Sequence, residues 1–392
     1  MSEPAFSVRF VQSESQIDPA LWDECFAPPL EGRWWYSTLE QCGLEDQFSF
    51  LYGVIHRDGA AVGIAPAFVM DFPVALVAPP ALQRAVEVLG RMFPSLARPR
   101  TLFVGSPCAD EGTVGMAAGV DSRSALLALQ QALETQARVL GAALLVWKDL
   151  PASHAADLEW LAKERRLFRV VSFPGTVVEL PGRSKEAYFA ALKGSRRHAL
   201  RKKLRRSAAR VDIGVDIVQG PDGRTLDALF GLFCQTYQKA TTRFEKLNRK
   251  FFEIVATRPA SHFIVLRERS AGEMVAFMLC FDMGSRVINK FIGIDYRRPR
   301  DWLLYFRLWD AAVDWALSRG ADAIQSGQTG YAPKIETGHR LVPLTNYCAH
   351  RNRLVHAVGR VFARHVSWST LDDDLARFLK AHPDFELSRL FK

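Results

Sequence analysis

The sequence has few cysteines and no paired cysteine motif. Its 392 residues include six cysteines, at positions 25, 42, 108, 234, 280 and 348, and none belongs to a CxxC pair. This spacing is unlike a zinc framework or a disulfide scaffold, so a reducing compartment is expected and no metal site is predicted. Cys280 and Cys348 stand in apolar strand contexts, where a cysteine is typically a core residue rather than a nucleophile.

Neither a targeting segment nor a membrane-spanning segment is predicted from the sequence. The N-terminus, MSEPAFSVRF, has no basic stretch followed by an apolar one, so no signal peptide is predicted. The most apolar stretch, residues 60–82, is interrupted by Asp71 and four prolines and is not expected to span a bilayer. We therefore expect a cytoplasmic protein, with peripheral attachment to the inner membrane as a further option. The formal net charge of +9 favours anionic partners: nucleic acid, membrane phosphate or a phosphorylated cofactor.

An order of elements occurs twice along the chain. Residues 48–71 alternate as strand, turn at Asp58-Gly59, strand, and residues 261–283 repeat this pattern with a turn at Ala271-Gly272. A helical pattern precedes each hairpin, and a strand, a helix and another strand follow it. The predicted following elements are 100–107, 124–140 and 142–149 in the first half, and 286–295, 302–318 and 321–327 in the second.

The repeated order predicts two related α/β domains. We place the first at residues 1–165, the second at 166–350, and a helical tail at 351–392. The loop 105–119 of the first domain is rich in glycine but contains Asp110 and Glu111, which argue against phosphate binding. The first domain is therefore expected to be structural or acceptor-binding, and the second to contain the transfer site. The tail includes a basic amphipathic pattern, typical of a docking helix or of a helix that lies on a membrane.

The densest positive charge lies in LKGSRRHALRKKLRRSAAR, residues 192–210. Eight of the fourteen residues from Lys193 to Arg206 are Lys or Arg, on a predicted helix (195–210) with Ser195 as its N-cap. Carboxylates at four-residue spacing, which would neutralise this row, are absent. We expect an anion to complete the surface; the alternative is a solvated basic helix. The predicted donor- or phosphate-binding residues of this helix are Arg196, Arg197, Arg201, Lys202 and Arg205.

Two further segments carry candidate site residues. The turn before the helix at 302–318 has three arginines instead of glycines, and they are predicted to bind phosphate: Arg297, Arg298 and Arg300. The segment SGQTGYAPKIETGHRLVP (326–343) follows a predicted strand. Lys334 is predicted to bind a phosphate or the developing oxyanion, and Tyr331 and His339 are the nearby groups able to move protons. The predicted substrate-binding residues are Tyr237, Gly327 and Gln328.

This layout of basic helix, LNRKFFEIV, hairpin, GID, long helix and the spacing of Gly327, Lys334 and Gly338 resembles the FemAB-type branch of the GNAT N-acyltransferase superfamily. The resemblance implies two tandem GNAT-like domains, each a mixed, twisted sheet flanked by helices. It also implies transfer of an acyl or aminoacyl group from an activated ester or thioester to a primary amine. No nucleophile–His–Asp triad is readable, which favours direct transfer over a covalent intermediate.

Three functions are compatible with these residues. The first is an N-acyltransferase that uses acyl-CoA or an acyl-carrier thioester as co-substrate, without a bound cofactor, on the amine of a lipid or cell-envelope precursor. The second is an aminoacyl-tRNA-dependent peptidyltransferase. It is less favoured, because no charged heptad run for a helical arm is visible and residues 190–212 lack aromatic residues for base stacking. The third is a non-catalytic protein that binds phosphate, nucleic acid or membrane.

Overall fold

The fold is known from a computed structural model, which describes residues 5–78, 88, 90–92, 97–240, 243, 245–383 and 385. The apolar stretch 60–82 is described up to residue 78, where it forms strand and a short helical turn; its last four residues lie outside the described part. No helix in the described ranges combines the length and apolar character that crossing a bilayer requires.

Alternating and apolar runs of the sequence form fifteen strands in the described residues. These are β1 (Phe6–Val11), β2 (Ser49–Arg57), β3 (Ala60–Asp71), β4 (Arg100–Val104), β5 (Gly115–Met116), β6 (Leu144–Pro151), β7 (Phe168–Val171), β8 (Gly175–Glu179), β9 (Ile213–Val218), β10 (Ser261–Glu268), β11 (Met274–Asp282), β12 (Arg286–Ile294), β13 (Ala323–Gln325), β14 (Arg340–Val342) and β15 (Leu344–His350).

The helices flank these strands. They are α1 (Pro19–Cys25), α2 (Arg33–Gln41), α3 (Ser122–Val139), α4 (Ala155–Arg165), α5 (Lys185–Ala191), α6 (Gly194–Ala208), α7 (Gly223–Lys239), α8 (Arg249–Ala256), α9 (Leu304–Ser318), α10 (Tyr331–Glu336), α11 (Arg353–Ala363), α12 (Trp368–Leu371) and α13 (Asp373–Ala381). The last three belong to the predicted helical tail.

The strands form two mixed sheets, as predicted. The first has the order β1-β2-β3-β4-β6-β15-β7, with β5 paired to β3, and the second has the order β14-β8-β13-β12-β11-β10-β9. Each sheet contains one described parallel pair, β4 with β6 and β12 with β13, and its other described pairs are antiparallel. A helix connects each parallel pair, because parallel neighbours require a crossover.

Strand pairing departs from the predicted division at residue 165. β7 and β15 fall within 166–350, yet both pair in the first sheet, where β15 lies between β6 and β7. The chain therefore passes from the first sheet to the second after β7 and returns to the first after β14. This exchange places residues from both halves of the chain on one face of the first sheet.

Local turn chemistry follows the sequence closely. The predicted hairpin turns are present, with Asp58, Gly59 and Gly272 at positive φ of 51°, 86° and 69°. The N-cap predicted for the basic helix is wrong: Lys193 precedes the first residue of α6 and provides no side-chain cap, and Ser195 lies inside the helix.

Candidate active site

A cavity of about 470 Å³ lies against the inner face of the first sheet. Successive side chains of a strand point to opposite faces, so Ala67 and Val69 pack toward α3 while Phe68 and Met70 point into the cavity. Its volume is within the range of about 300–1,000 Å³ typical of small-molecule sites. The apolar wall is formed by Phe68, Met70, Phe72, Phe103, Leu144, Val146, Phe168, Val170, Val355 and Phe362.

One end of the cavity is polar and contains a buried ion cluster. Lys290 of β12 has a side chain that is 1% exposed, and its Nζ lies 2.7 Å from Glu31 Oε1 and 3.6 Å from Asp110 Oδ1. The same Nζ lies 4.7 Å from the centre of the Trp35 ring. Burial acts against the ammonium, but Asp110 and Glu31 outweigh it and raise the pKa of Lys290. Lys290 is therefore a permanent cation at this end of the cavity.

Asp110 is the acidic group of this cluster that lines the cavity. Burial raises its pKa, and the positive charge of Lys290 offsets part of that effect. Its Oδ2 accepts a hydrogen bond of 3.4 Å from Gln325 Nε2. A Cβ at Gly327, where φ is +26°, would lie 3.0 Å from Asp110 Oδ1, so the missing side chain lets the 327 backbone approach the carboxylate. A carboxylate in this setting is a stronger base than an exposed one.

A second polar group lines the cavity from the first sheet. Lys148 Nζ lies 2.5 Å from Asp149 Oδ2, and the Ser172 hydroxyl donates to Asp149 Oδ1. Asp149 N–H donates to Asn346 Oδ1 at 2.7 Å, and Asp149 has a φ of +55°. Left-handed backbone is uncommon for a residue other than glycine, and here the surrounding hydrogen bonds hold it. Lys148 and Lys290 thus enter the same cavity from different sheets.

Lys334 is half-buried, and its ammonium group holds a turn of the backbone. Its Nζ donates to the carbonyl oxygens of Ser326, Gly327 and Gln328 at 2.5, 3.0 and 3.2 Å. Burial lowers the pKa of Lys334 to about 8. The three protons of an ammonium are all used in these bonds, so binding a phosphate or an oxyanion would require some of them to break. The phosphate role stays a prediction, and the observed contacts are those of a positioning residue.

Tyr331 and His339 lie behind this turn and do not line the cavity. The Tyr331 hydroxyl is fully buried and donates to the Pro174 carbonyl at 2.9 Å. His339 Nδ1 lies 2.9 Å from the Lys334 carbonyl, which makes Nδ1 the donor, and Nε2 has no hydrogen-bond partner in the described part of the chain. Burial and the charge of Lys334 lower the pKa of His339 to about 3, so the imidazole is neutral. Gly327 and Gln328 do line the cavity, as predicted substrate-binding residues would.

The basic helix and the lysine-bearing segment are neighbours. Lys203 of α6 pairs with Glu336 of α10, and its Nζ lies 4.0 Å from the Phe306 ring centre. Arg196 and Arg197 are half-buried, with Arg197 donating to the Ala190 carbonyl. The remaining predicted phosphate-binding residues of this helix are exposed, and within the described chain none has a carboxylate partner: Arg201, Lys202 and Arg205. None of the α6 residues lines the cavity.

Two of the arginines before α9 pair with carboxylates, some of them near in sequence and others distant. Arg297 pairs with Asp295, and Arg298 pairs with Asp295, Glu268 and Glu273. Because carboxylates already occupy these two guanidinium groups, an incoming phosphate would have to compete with them. Arg300 is exposed. Tyr237 is half-buried beside Phe233, away from the cavity lining.

Several residues of the site were missed from the sequence. Lys290, Lys148 and Asn346 were not predicted, and Asp110 was considered only as evidence against phosphate. Lys290 and Lys148 each interrupt an apolar strand, RVINKFIGI and LLVWKDLP, and a lone lysine in such a run is a usable signal. The position of Asn346 in the site depends on the pairing of β15 with β6, which no local sequence pattern specifies.

The arrangement of two mixed sheets is similar to that of solved structures. The crystal structure of FemX is similar over 89% of this chain and 99% of that chain, with a TM-score of 0.58 and 11% identity. A tandem GNAT protein from the clavulanic acid biosynthesis pathway is similar over the same shares, with a TM-score of 0.52 and 12% identity. These likenesses confirm the predicted tandem GNAT-like fold. A comparison with curated protein sequences finds no significant match.

The particular family follows from the sequence. The FemAB-like model, described as peptidoglycan biosynthesis/recognition, matches residues 119–369. This is more than half of the chain, and the chain belongs to the FemAB-like family, which confirms the resemblance seen in the sequence. Membership supports an enzyme that transfers an acyl or aminoacyl group to a cell-envelope precursor.

Proposed function

We propose that this protein is an N-acyltransferase that moves an acyl group from acyl-CoA or a carrier thioester to a primary amine of a lipid or envelope precursor. The observation that carries the proposal is the apolar cavity that ends at Asp110 and Lys290. Aromatic and aliphatic side chains line its length, and ionised groups line one end. Such a shape suits a substrate with a hydrocarbon chain and a polar reacting group.

The chemistry requires little more than positioning and one proton acceptor. The amine nitrogen attacks the thioester carbonyl carbon, the C–N bond forms, and the C–S bond breaks as the thiolate leaves. Asp110, whose pKa burial raises, accepts the proton that the nitrogen loses and returns it to the sulfur. Lys290 and the turn held by Lys334 fix the carboxylate and the 326–328 backbone around the reacting atoms.

A direct assay tests this proposal. The purified protein is incubated with long-chain acyl-CoA and amine acceptors, and amide products are identified by mass spectrometry. Asp110→Asn is expected to lower kcat by about 10²–10⁴-fold, the usual contribution of a general base. Asp212→Asn, on the exposed surface, is the matched control and is expected to retain activity. Amide formation at the same rate by Asp110→Asn would exclude this carboxylate as the base.

The apolar wall has its own test. Val170→Phe narrows the cavity, so KM is expected to rise for long acyl chains and to stay unchanged for acetyl-CoA. Val215→Phe, on the exposed face of β9, adds the same side chain elsewhere and is expected to change neither. An equal change in KM for both donors in Val170→Phe would mean that the cavity does not hold the acyl chain.

A second candidate is transfer of an aminoacyl group from aminoacyl-tRNA. The exposed cations of α6 have no carboxylate partner among the residues that the structure describes, and they favour this candidate because such a row suits a phosphate backbone. The test is formation of an aminoacylated envelope precursor from charged tRNA. Replacing Arg201 and Arg205 by Gln is expected to weaken tRNA binding and to reduce its dependence on salt. An unchanged salt dependence would remove α6 from the RNA contact.

A further inference from the structure

We propose that α11 (Arg353–Ala363) docks on an anionic lipid bilayer and thereby places the cavity next to the membrane. The inference deepens the proposed function, on which it rests for the nature of the substrate. Three observations on this one helix carry it: an exposed apolar stripe, arginines beside the stripe that have no carboxylate partner among the described residues, and an inward face that forms part of the cavity wall.

The outward face of α11 is apolar. Leu354, Val358 and Val361 are 78%, 69% and 57% exposed, and their spacing of four and three residues puts them on one side of the helix. Large apolar side chains exposed singly are ordinary, but three adjacent ones on a single helix form a continuous stripe. No described residue covers this stripe.

The inward face of the same helix is part of the candidate site. Val355, Gly359 and Phe362 line the cavity. Gly359 lets the helix lie close to the sheet, because a Cβ there would be 3.1 Å from Phe168 Cζ. The helix is thus one layer of protein between the exposed stripe and the space proposed to hold a hydrocarbon chain.

Charge selects the bilayer over other partners. Arg353, Arg360 and Arg364 are exposed beside the stripe, and none has a carboxylate partner among the described residues. A second copy of the chain has a formal net charge of +9 and would bring further positive charge toward these guanidinium groups. An anionic bilayer provides an apolar interior for the stripe and phosphates for the arginines, as for other basic amphipathic helices at membrane surfaces.

The test is flotation of the intact protein with vesicles. Vesicles of phosphatidylcholine mixed with phosphatidylglycerol are expected to bind it, vesicles of phosphatidylcholine alone to bind it less, and added salt to weaken binding. Arg353→Gln with Arg360→Gln is expected to lower affinity for the anionic vesicles roughly 25-fold, at about fivefold for each arginine. Leu354→Ser with Val358→Ser and Val361→Ser is expected to lower it at least about tenfold.

Controls separate this inference from the proposed function. Val215→Ser with Ile217→Ser removes exposed apolar side chains from β9 and is expected to leave vesicle binding unchanged. Turnover of a water-soluble short-chain thioester is measured without vesicles for each protein and is expected to be equal in the α11 variants. Turnover without vesicle binding overturns the inference alone, whereas vesicle binding without turnover supports it and counts against the proposed activity. If the wild-type protein is a dimer and the variant with Leu354, Val358 and Val361 replaced is a monomer, a second copy covers the stripe. That result would also overturn the inference.

Discussion

The two sheets contain the same run of hairpin, strand, helix and strand, but their inner strands are covered differently. β11 of the second sheet is buried on both faces: Phe277 packs toward α7 and α8, and Met278 packs toward α9. In the first sheet, α3 and α4 cover one face of β4 and β6, while the opposite face borders the cavity. β11 of the second sheet therefore acts as scaffold, whereas the first sheet provides most of the binding surface and β12 adds Lys290 to it. The sequence instead predicts a structural or acceptor-binding first domain and a transfer site in the second.

The largest contrast is expected in core stability. Phe277 is fully buried, and its Cε1 would lie 2.3 Å from a Cβ placed on Gly293, so the packing around it is tight. Phe277→Ala is expected to lower the free energy of unfolding by about 3–5 kcal/mol, and Phe72→Ala, at the half-buried cavity wall, by roughly 1 kcal/mol. Chemical denaturation measures both. Equal losses would remove the distinction between scaffold and binding surface.

The next contrast compares the two lysines of the cavity. Lys290→Met leaves the carboxylates of Glu31 and Asp110, whose side chains are 15% and 10% exposed, without their cation, which is expected to cost about 3 kcal/mol of folding free energy at pH 7. Lys148 is partly exposed, and its partner Asp149 keeps the hydrogen bond from the Ser172 hydroxyl, so Lys148→Met is expected to cost about 1 kcal/mol.

Denaturation at lower pH sharpens this contrast. The Lys290→Met variant is expected to recover stability relative to the wild type, because the carboxyl of Asp110 already has a raised pKa and then takes up a proton. If the difference in unfolding free energy between Lys290→Met and the wild type stays constant from pH 7 to pH 5, the lost stability comes from packing rather than from unpaired charge.

A smaller change in folding stability is expected from His339, which lies in the second half of the chain. Its pKa is lowered to about 3 in the folded protein, against about 6.5 in an unfolded chain. The unfolded state therefore binds a proton first as the pH falls through 6.5, and the folded state loses stability, by about 2 kcal/mol at pH 5. His339→Gln is expected to lose this part of the pH dependence. The readout is the difference between wild-type and variant unfolding free energies at pH 7 and pH 5.

Much of the architecture was predictable from local patterns. Turn chemistry alone predicts the hairpin turns at Gly59 and Gly272, and residue spacing alone predicts helices α3 and α9. The crossing of β7 and β15 into the first sheet was not predictable, because a strand's own alternation does not name its neighbour.

The candidate site was predicted less completely than the fold. Gly327 and Gln328 line the cavity, but Lys334 uses its protons on backbone carbonyls, and Arg298 is paired with Glu268 and Glu273. These partners are 30 and 25 residues away from Arg298 along the chain. Charge density in a segment cannot show which of its charges are already neutralised.

The sequence by itself determined the periodicity of each element, the positions of the tight turns, the basic surface of α6 and the family. Each of these depends on residues close together in the chain. Tertiary structure alone decided that β11 is covered on both faces while β4 and β6 border a cavity, and which carboxylates lie beside Lys148 and Lys290. Burial and ion pairing depend on contacts between distant segments, and those contacts set the pKa values from which the proposed chemistry follows.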